Sequence, residues 1–388
     1  MVEVSWVSLP KDGEELCGDS VRVVTSDDHF TVVLSDGLGS GVKANILSTL
    51  TSQIAATMFE EGADTHAVME TLAATLPECQ VRKLAYATLA MLRVYHGQEA
   101  FLVEYDTAPL VLVRDAELVE LDAQTHTMAG REVSECSFTL EDGDYMLLVS
   151  DGYEHAGVGG IYRLGWGWKN IAIAARRWCQ TGCDAHGLAQ AMKRTCLKLY
   201  GGKPGDDCTV IAMHVRPAVS ATIWTGPPAD RARDPDAGEM LMAADGIKAI
   251  CGGTTAQIAS RVLDKPLRVD WVPPSKRKGA SPRKRGAPPV AKLEGVDLVT
   301  EGILTLGQTV RLLEQCETIH DLPHENDAPT RLARILLGAD NIHLIVGTAL
   351  NPAQVADLIR GEPMRQLYVN ELLRELERRR KQVIVDTI

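Results

Sequence analysis

The chain has 388 residues, 45% of them hydrophobic and 24% charged, and a formal net charge of −12. Length and balance are those of a globular protein of two domains, each able to bury its own core. The acidic charge argues against wholesale nucleic-acid binding; no apolar run reaches the about 18 residues of a membrane span, and the start lacks a signal peptide's basic region and apolar core. A cytoplasmic protein without membrane association is therefore expected. The nine cysteines are scattered. Cys179 and Cys183 have no second pair or neighbouring histidine to complete a zinc set, so all read as reduced thiols.

From Glu3 to about Val215 the pattern is strand-rich with inserted helices. Residues 21–25 and 30–35 are predicted strands joined by a polar turn. Segments 42–59 and 65–76 repeat apolar residues at three and four, which predicts two amphipathic helices. Strands follow at 86–94, 100–105, 110–114, 117–121 and 145–150, helices at 169–180 and 185–199, and a closing strand at 208–215. Antiparallel strands grouped with helix pairs, without regular βαβ alternation, predict an α+β layered domain over residues 1–217.

Residues 225–236 are rich in Pro, Gly, Ala, Asp and Arg, and 218–238 is expected to be a connector. A second, smaller α/β pattern fills 239–388: strands at 249–250, 267–272, 296–299 and 342–346, and helices ending near 263 and spanning 305–314, 331–337 and 366–380. It predicts an accessory domain, sensory or docking, built on a parallel sheet. Within it, 273–289 carries Lys276, Arg277, Lys278, Arg283, Lys284 and Arg285 and no acid. With its prolines and glycines it reads as a flexible solvated insertion, or as a docking arm for an acidic partner or nucleic acid.

The chemistry-bearing signal is a set of aspartates at strand ends, each beside glycine or another aspartate. They lie in Cys17-Gly18-Asp19-Ser20, Ser35-Asp36-Gly37-Leu38-Gly39-Ser40-Gly41, Ser150-Asp151-Gly152 and Gly205-Asp206-Asp207-Cys208-Thr209-Val210. Asp36 and Asp151 each follow an apolar strand, whose end presents the carboxylate at a rim. Such carboxylates belong together if they share hard divalent cations, since Mg2+ and Mn2+ favour oxygen ligands. Two such ions about 3.5–4 Å apart activate a water and offset phosphoryl charge. Gly37 lets the backbone approach a metal closely. Asp-Gly is also a common turn, and Asp12-Gly13, Asp142-Gly143 and Asp245-Gly246 are assigned to turns.

Taken together, these motifs and the Leu140-Glu141-Asp142-Gly143-Asp144 approach resemble the PPM (PP2C-like) serine/threonine phosphatases, in their bacterial SpoIIE-type branch. The resemblance covers residues 1–217. It implies a β-sandwich of two antiparallel sheets flanked by helices, and hydrolysis of phosphoserine or phosphothreonine in a phosphoprotein at a centre of two or more Mn2+ or Mg2+ ions. Carried over, Asp36 would bridge the metals; the Gly37 carbonyl and Asp19, partly through water, would serve one; Asp151 and Asp206 would hold the other. Asp207 is the rival of Asp206, and strand alternation allows only one of them as a direct ligand. The eukaryotic branch's phosphate-gripping arginine has no counterpart: Arg22 lies inside the strand after Asp19. The whole chain is also similar to SpoIIE-type phosphatases encoded beside bacterial iron-only hydrogenases.

Weaker candidates have two readings each. His155 is a proton donor near the site or a plain surface histidine. Cys17 and Cys208 are oxidation-sensitive neighbours of the motifs or packed thiols. Trp166 and Trp168 form an aromatic substrate lip or pack in the core. In the second domain Gly253, Thr254 and Thr255 open a helix after a strand, and either cradle an anion or nucleotide or make an ordinary turn. Thr300-Glu301-Gly302 and Gly347-Thr348-Ala349 would share their rim. A catalytically degenerate binding module and a nucleotide- or phosphate-sensing switch stand as alternative functions; the intact aspartates argue against the first. A homodimer is left open.

Overall fold

In a computed structural model, residues 1–26, 28–76, 87–95, 98–269, 290–349 and 363–388 are described. They form two compact units, Met1–Pro217 and Ala218–Ile388. No described helix is long and apolar enough to cross a membrane.

Unit 1 comprises β1 (Val2–Leu9), β2 (Asp19–Thr25), β3 (His29–Asp36), α1 (Gly41–Glu60), α2 (Thr65–Thr75), β4 (Leu89–Tyr95), β5 (Glu99–Tyr105), β6 (Val111–Arg114), β7 (Glu117–Val119), β8 (Gln124–Met128), β9 (Arg131–Thr139), β10 (Tyr145–Val149), the single turn α3 (Asp151–Glu154), α4 (Trp168–Cys179), α5 (Ala185–Leu199) and β11 (Cys208–Val215). One five-stranded sheet has the order β1-β11-β10-β6-β7, and a six-stranded one β2-β3-β4-β5-β9-β8. Every pairing in both is antiparallel.

The two-residue period of a strand builds the layers. On β3, Val32 and Leu34 pack between the sheets against Leu92, Met146 and Ile211. Val33 points the other way, into a layer with Leu47 and Phe59 of α1 and Met69 of α2. On β10, Met146 and Leu148 join the inter-sheet core, while Leu147 and Val149 meet Ala172 of α4 and Leu188 of α5. The result is a sandwich with a helix pair on each outer face. Helix starts follow local chemistry: the Asp64 carboxylate accepts from the Ala67 N–H at 2.8 Å ahead of α2, and Asp184 from Gly187 at 2.7 Å ahead of α5.

Glu104 on β5 is a half-buried acid whose carboxylate accepts the Leu110 N–H at 2.6 Å, and burial pushes it up to about 7. Below pH 4.5, its ordinary value, the glutamate is protonated folded or unfolded and costs nothing. As pH rises to about 7 the unfolded chain ionises first, so folding stability falls through that window by on the order of 2–3 kcal/mol. Glu104→Gln keeps the acceptor and removes the charge. We expect it to raise the melting temperature above pH 7 and leave it unchanged near pH 4.

Unit 2 comprises β12 (Ser220–Thr225), α6 (Asp234–Ala243), β13 (Ile247–Cys251), α7 (Gly253–Val262), β14 (Arg268–Val269), β15 (Val290–Leu293), β16 (Val296–Thr300), α8 (Ile303–Gln315), α9 (Ala328–Gly338), β17 (Asn341–Val346), α10 (Met364–Arg378) and β18 (Gln382–Thr387). Its seven strands run β14-β15-β16-β13-β12-β17-β18. From β16 to β18 the pairs are parallel; β14 and β15 add an antiparallel edge. Helices cover both faces: Ile223 packs with Leu306, Leu332 and Leu372, and Trp224 with Leu241 and Ala259. The five parallel strands are the sheet expected, and the antiparallel edge makes it mixed.

The expected connector over 218–238 is not one. It supplies β12, flanked by β13 and β17 inside the sheet, and the start of α6; only the turn between them is rich in proline and glycine. Strands β1, β8, β9, β15 and β18 were not individually predicted. Most of them alternate weakly: four of the five residues of β8 are exposed, so no apolar face marks it. The basic segment 273–289 and most of the predicted strand 267–272 lie outside the described residues.

Candidate active site

The predicted aspartates arrive at one end of the sandwich from four places. Asp19 and Asp36 are directly opposed across β2 and β3. The Gly37 N–H donates to the Gly18 carbonyl at 3.2 Å, which closes that strand end. Thr88 holds Asp36 from the other side: its N–H donates to the Asp36 carbonyl at 2.9 Å, and its hydroxyl accepts the Asp36 N–H at 3.0 Å. Asp151 opens α3, and Asp206 sits in the turn before β11. Ser150 joins the groups, donating to Asp19 Oδ2 at 2.8 Å while accepting the Thr209 N–H at 2.8 Å. The serines of the two Ser-Asp-Gly triplets are thus structural ties, since Ser35 likewise donates to the Thr88 carbonyl at 2.7 Å.

Two glycines set how closely these pieces approach. A methyl on Gly37 would overlap the Ala44 carbonyl of α1, and one on Gly152 would overlap the Asp207 carbonyl. Tyr200 adds a bond from its hydroxyl to the Gly152 carbonyl at 2.7 Å.

The Asp36 carboxyl lies near enough to Asp19 and Asp151 for both to act on it. Burial, then the charges of Asp19 and Asp151, push its carboxyl up to about 11. Burial raises Asp19 to about 6, against the hydrogen bonds from Ser150 and Thr209. Burial and then Asp151 also raise Asp206. Acids crowded so that one keeps its proton are a place where a cation would relieve the same repulsion.

The donor set fits a hard divalent ion. Asp19 Oδ1 and Asp207 Oδ2 are buried and have no hydrogen-bond partner, a costly state that a cation could end. Among the described residues no three His, Cys, Asp or Glu side chains already form a closed ligand group. The neighbours Asp206 and Asp207 differ in surroundings. Asp206 is half-buried and feels Asp151 and His155. Asp207 is buried, accepts the Lys11 N–H at 3.0 Å and lies against Gly18, beside Asp19.

Residues 26–216 match the model of the family described as Stage II sporulation protein E (SpoIIE). Unit 1 is a SpoIIE-type phosphatase domain. Its class is that of the PP2C serine/threonine phosphatases, which are metal-dependent. Among solved structures, the chain is similar to the PP2C phosphatase domain with a regulatory-domain fragment of SpoIIE from Bacillus subtilis: 19% identity, TM-score 0.47, covering 56% of this chain and 63% of that one. It is similar to the RsbU and RsbW domains of Rv1364c from Mycobacterium tuberculosis at 17% identity and TM-score 0.45, over 76% of this chain and 80% of that one. The SiaA-PP2C domain of Pseudomonas aeruginosa gives 19% identity and TM-score 0.42, over 54% and 84%. At these values the likenesses carry no argument of their own. No curated protein matches the chain.

The weaker candidates sort by their contacts. His155 is exposed, with Nδ1 3.9 Å from Asp151 Oδ2. Trp166 is buried against Tyr153, and Trp168 donates its indole N–H to the Pro109 carbonyl at 2.7 Å, so both serve packing rather than a substrate lip. Burial raises the Cys17 thiol to about 12, and Cys208 is fully buried and also raised, so neither is a ready nucleophile. Arg22 is exposed on β2. In unit 2, Gly253 and Thr254 are exposed at the start of α7, while Thr255 is buried with its hydroxyl against Gly252; nothing there beyond a helix start points to a ligand. Sequence reasoning missed Thr88, Lys11 and Glu14, whose carboxylate accepts from Ser40 at 3.2 Å beside Gly41. They lie in loops, where no periodicity marks them.

Proposed function

We propose that the SpoIIE-type domain hydrolyses phosphoserine or phosphothreonine in a protein, using two divalent cations, Mn2+ or Mg2+, held by Asp19, Asp36, Asp151 and Asp206 with the Gly37 carbonyl. The observation that supports this best is the convergence on Asp36 of Asp19, directly opposite it across β2 and β3, and of Asp151 from the start of α3, close enough for its charge to act on Asp36. Bound cations supply an activated water and neutralise phosphoryl charge. The chain's own part is placement. Thr88 fixes the backbone of Asp36, Ser150 orients Asp19, and the Gly152 approach sets Asp151 against the start of β11. Lys11 supplies a positive charge felt by Asp206.

Asp206 takes the ligand role and Asp207 the structural one in this reading. Asp206→Asn should raise the Mn2+ concentration needed for half-maximal hydrolysis of p-nitrophenyl phosphate by at least about tenfold, with little change in melting temperature. Asp207→Asn should lower the melting temperature and leave that concentration nearly unchanged. The reverse pattern would give Asp207 the ligand role, and activity that survives chelation would sink the metal mechanism.

A further inference from the structure

Several of the exposed large apolar side chains of unit 1 lie on segments that adjoin the aspartates in the chain and are tied to them by the contacts below. After α3, the loop from Ala156 to Gly165 presents Val158, Ile161 and Leu164, exposed by 54%, 66% and 87%. Both ends of the loop are pinned beside the site. The Val158 N–H donates to the His155 carbonyl at 3.1 Å, and Gly165 packs on the Cα of His155, where a Cβ would lie 2.9 Å away. A second group lines the start of α1, where Val42 and Ile46 are exposed one turn apart. Leu16 is exposed on the loop that leads to Asp19. That loop is tied to α1, since Asn45 donates to the Cys17 carbonyl at 2.9 Å.

Groups of exposed apolar side chains mark an interaction surface more often than isolated ones do. Because these flank the catalytic aspartates, the occupant they fit is the substrate. Resting on the phosphatase reading above, we infer that the domain selects a phosphoprotein whose phosphorylated serine or threonine is flanked by apolar side chains. Ile161 and Leu164 contact one side of the phosphorylated residue, and Val42, Ile46 and Leu16 the other. The chemistry favours this division of labour. The centre is acidic, and Arg22 is exposed in mid-strand on β2, three residues after Asp19, so grip on the phosphate comes mainly from the cations. Selectivity among phosphoproteins then has to come from the rim. Apolar contacts that are equally good before and during the reaction lower KM and leave kcat alone.

The test uses the full chain with Mn2+ and two phosphoserine peptides, one with leucine and isoleucine beside the phosphoserine and one with serine and glutamine there. p-Nitrophenyl phosphate, too small to reach the rim, reports whether the centre is folded and loaded. The wild type should favour the apolar peptide by roughly tenfold or more in kcat/KM, and Ile161→Ser with Leu164→Ser should erase that preference by raising KM. Val42→Ser with Ile46→Ser should do the same from the other side. If one pair misfolds, the other carries the test. A wild type that hydrolyses p-nitrophenyl phosphate yet shows no preference, or a preference that both pairs leave intact, overturns the inference. A wild-type dimer that Val42→Ser with Ile46→Ser dissociates would give the α1 stripe to a second copy and overturn that arm. No hydrolysis of p-nitrophenyl phosphate at all would defeat the phosphatase reading itself, and this inference with it.

Discussion

Asp36→Asn should abolish Mn2+-dependent hydrolysis while leaving a folded protein. Asp36 is the carboxyl on which both Asp19 and Asp151 act, so in the proposed centre it would be the ligand whose loss affects both cations. Residues that merely support a ligand cost about 10–100-fold when removed, so a loss of more than about 100-fold in kcat/KM is expected here. Stability should move the other way when metal is absent. The substitution takes one acid out of the crowded set Asp19, Asp36 and Asp151, of which Asp19 is buried and Asp151 exposed, so the variant in chelator should melt at or above the wild type. Added Mn2+ should raise the wild-type melting temperature, since a ligand at about 100 times its Kd contributes about 2.7 kcal/mol, and should barely move the variant. Calorimetry with and without Mn2+ reads both effects. A variant that melts far below the wild type in chelator would mean that Asp36 has a structural role instead.

Gly152→Ala should damage activity and stability together. A methyl there would overlap the Asp207 carbonyl and lie 2.8 Å from the Cys208 sulfur. The first of these is backbone, so no rotamer change relieves it. Either α3 or the start of β11 must shift, and each carries a predicted ligand, Asp151 or Asp206. Overpacking of this kind costs about 1–3 kcal/mol, readable from the urea midpoint, and kcat/KM should fall by about tenfold or more because the two carboxylates separate. Gly143→Ala is the control. Gly143 has a φ of +97°, but a methyl added there would meet no neighbouring atom. It should cost only about 1–2 kcal/mol of backbone strain and leave the Mn2+ dependence intact. Equal losses of activity in the two variants would show that general destabilisation, and not the approach at Gly152, is responsible.

How much of this was legible beforehand differs from residue to residue. Asp36 and Asp151 were, because each ends an apolar strand and precedes a glycine, and both the strand and the turn are local signals. The helices α1 and α5 were, because their buried faces repeat with the helical period. Strand β8 was not, as its exposed residues leave no alternation to read. Nor was β12: a segment followed by Gly226-Pro227-Pro228 looks like a connector until its pairing with β13 and β17 shows it flanked on both sides.

The sequence alone determined the kind of chemistry: acidic oxygen ligands at strand ends, spaced by glycine, in the order of a SpoIIE-type phosphatase domain. It could do so because residue type and local period are properties of short stretches. The tertiary structure decided what depends on distance between stretches. It put Asp206 with Asp151 and Asp207 with Asp19, although the two acids are adjacent in the chain. It turned Ser35 and Ser150 into ties across strands and revealed Thr88, Lys11 and Glu14 around the aspartates. It also left apolar side chains exposed on the segments that adjoin those aspartates in the chain, because burial is settled only when the whole chain has packed.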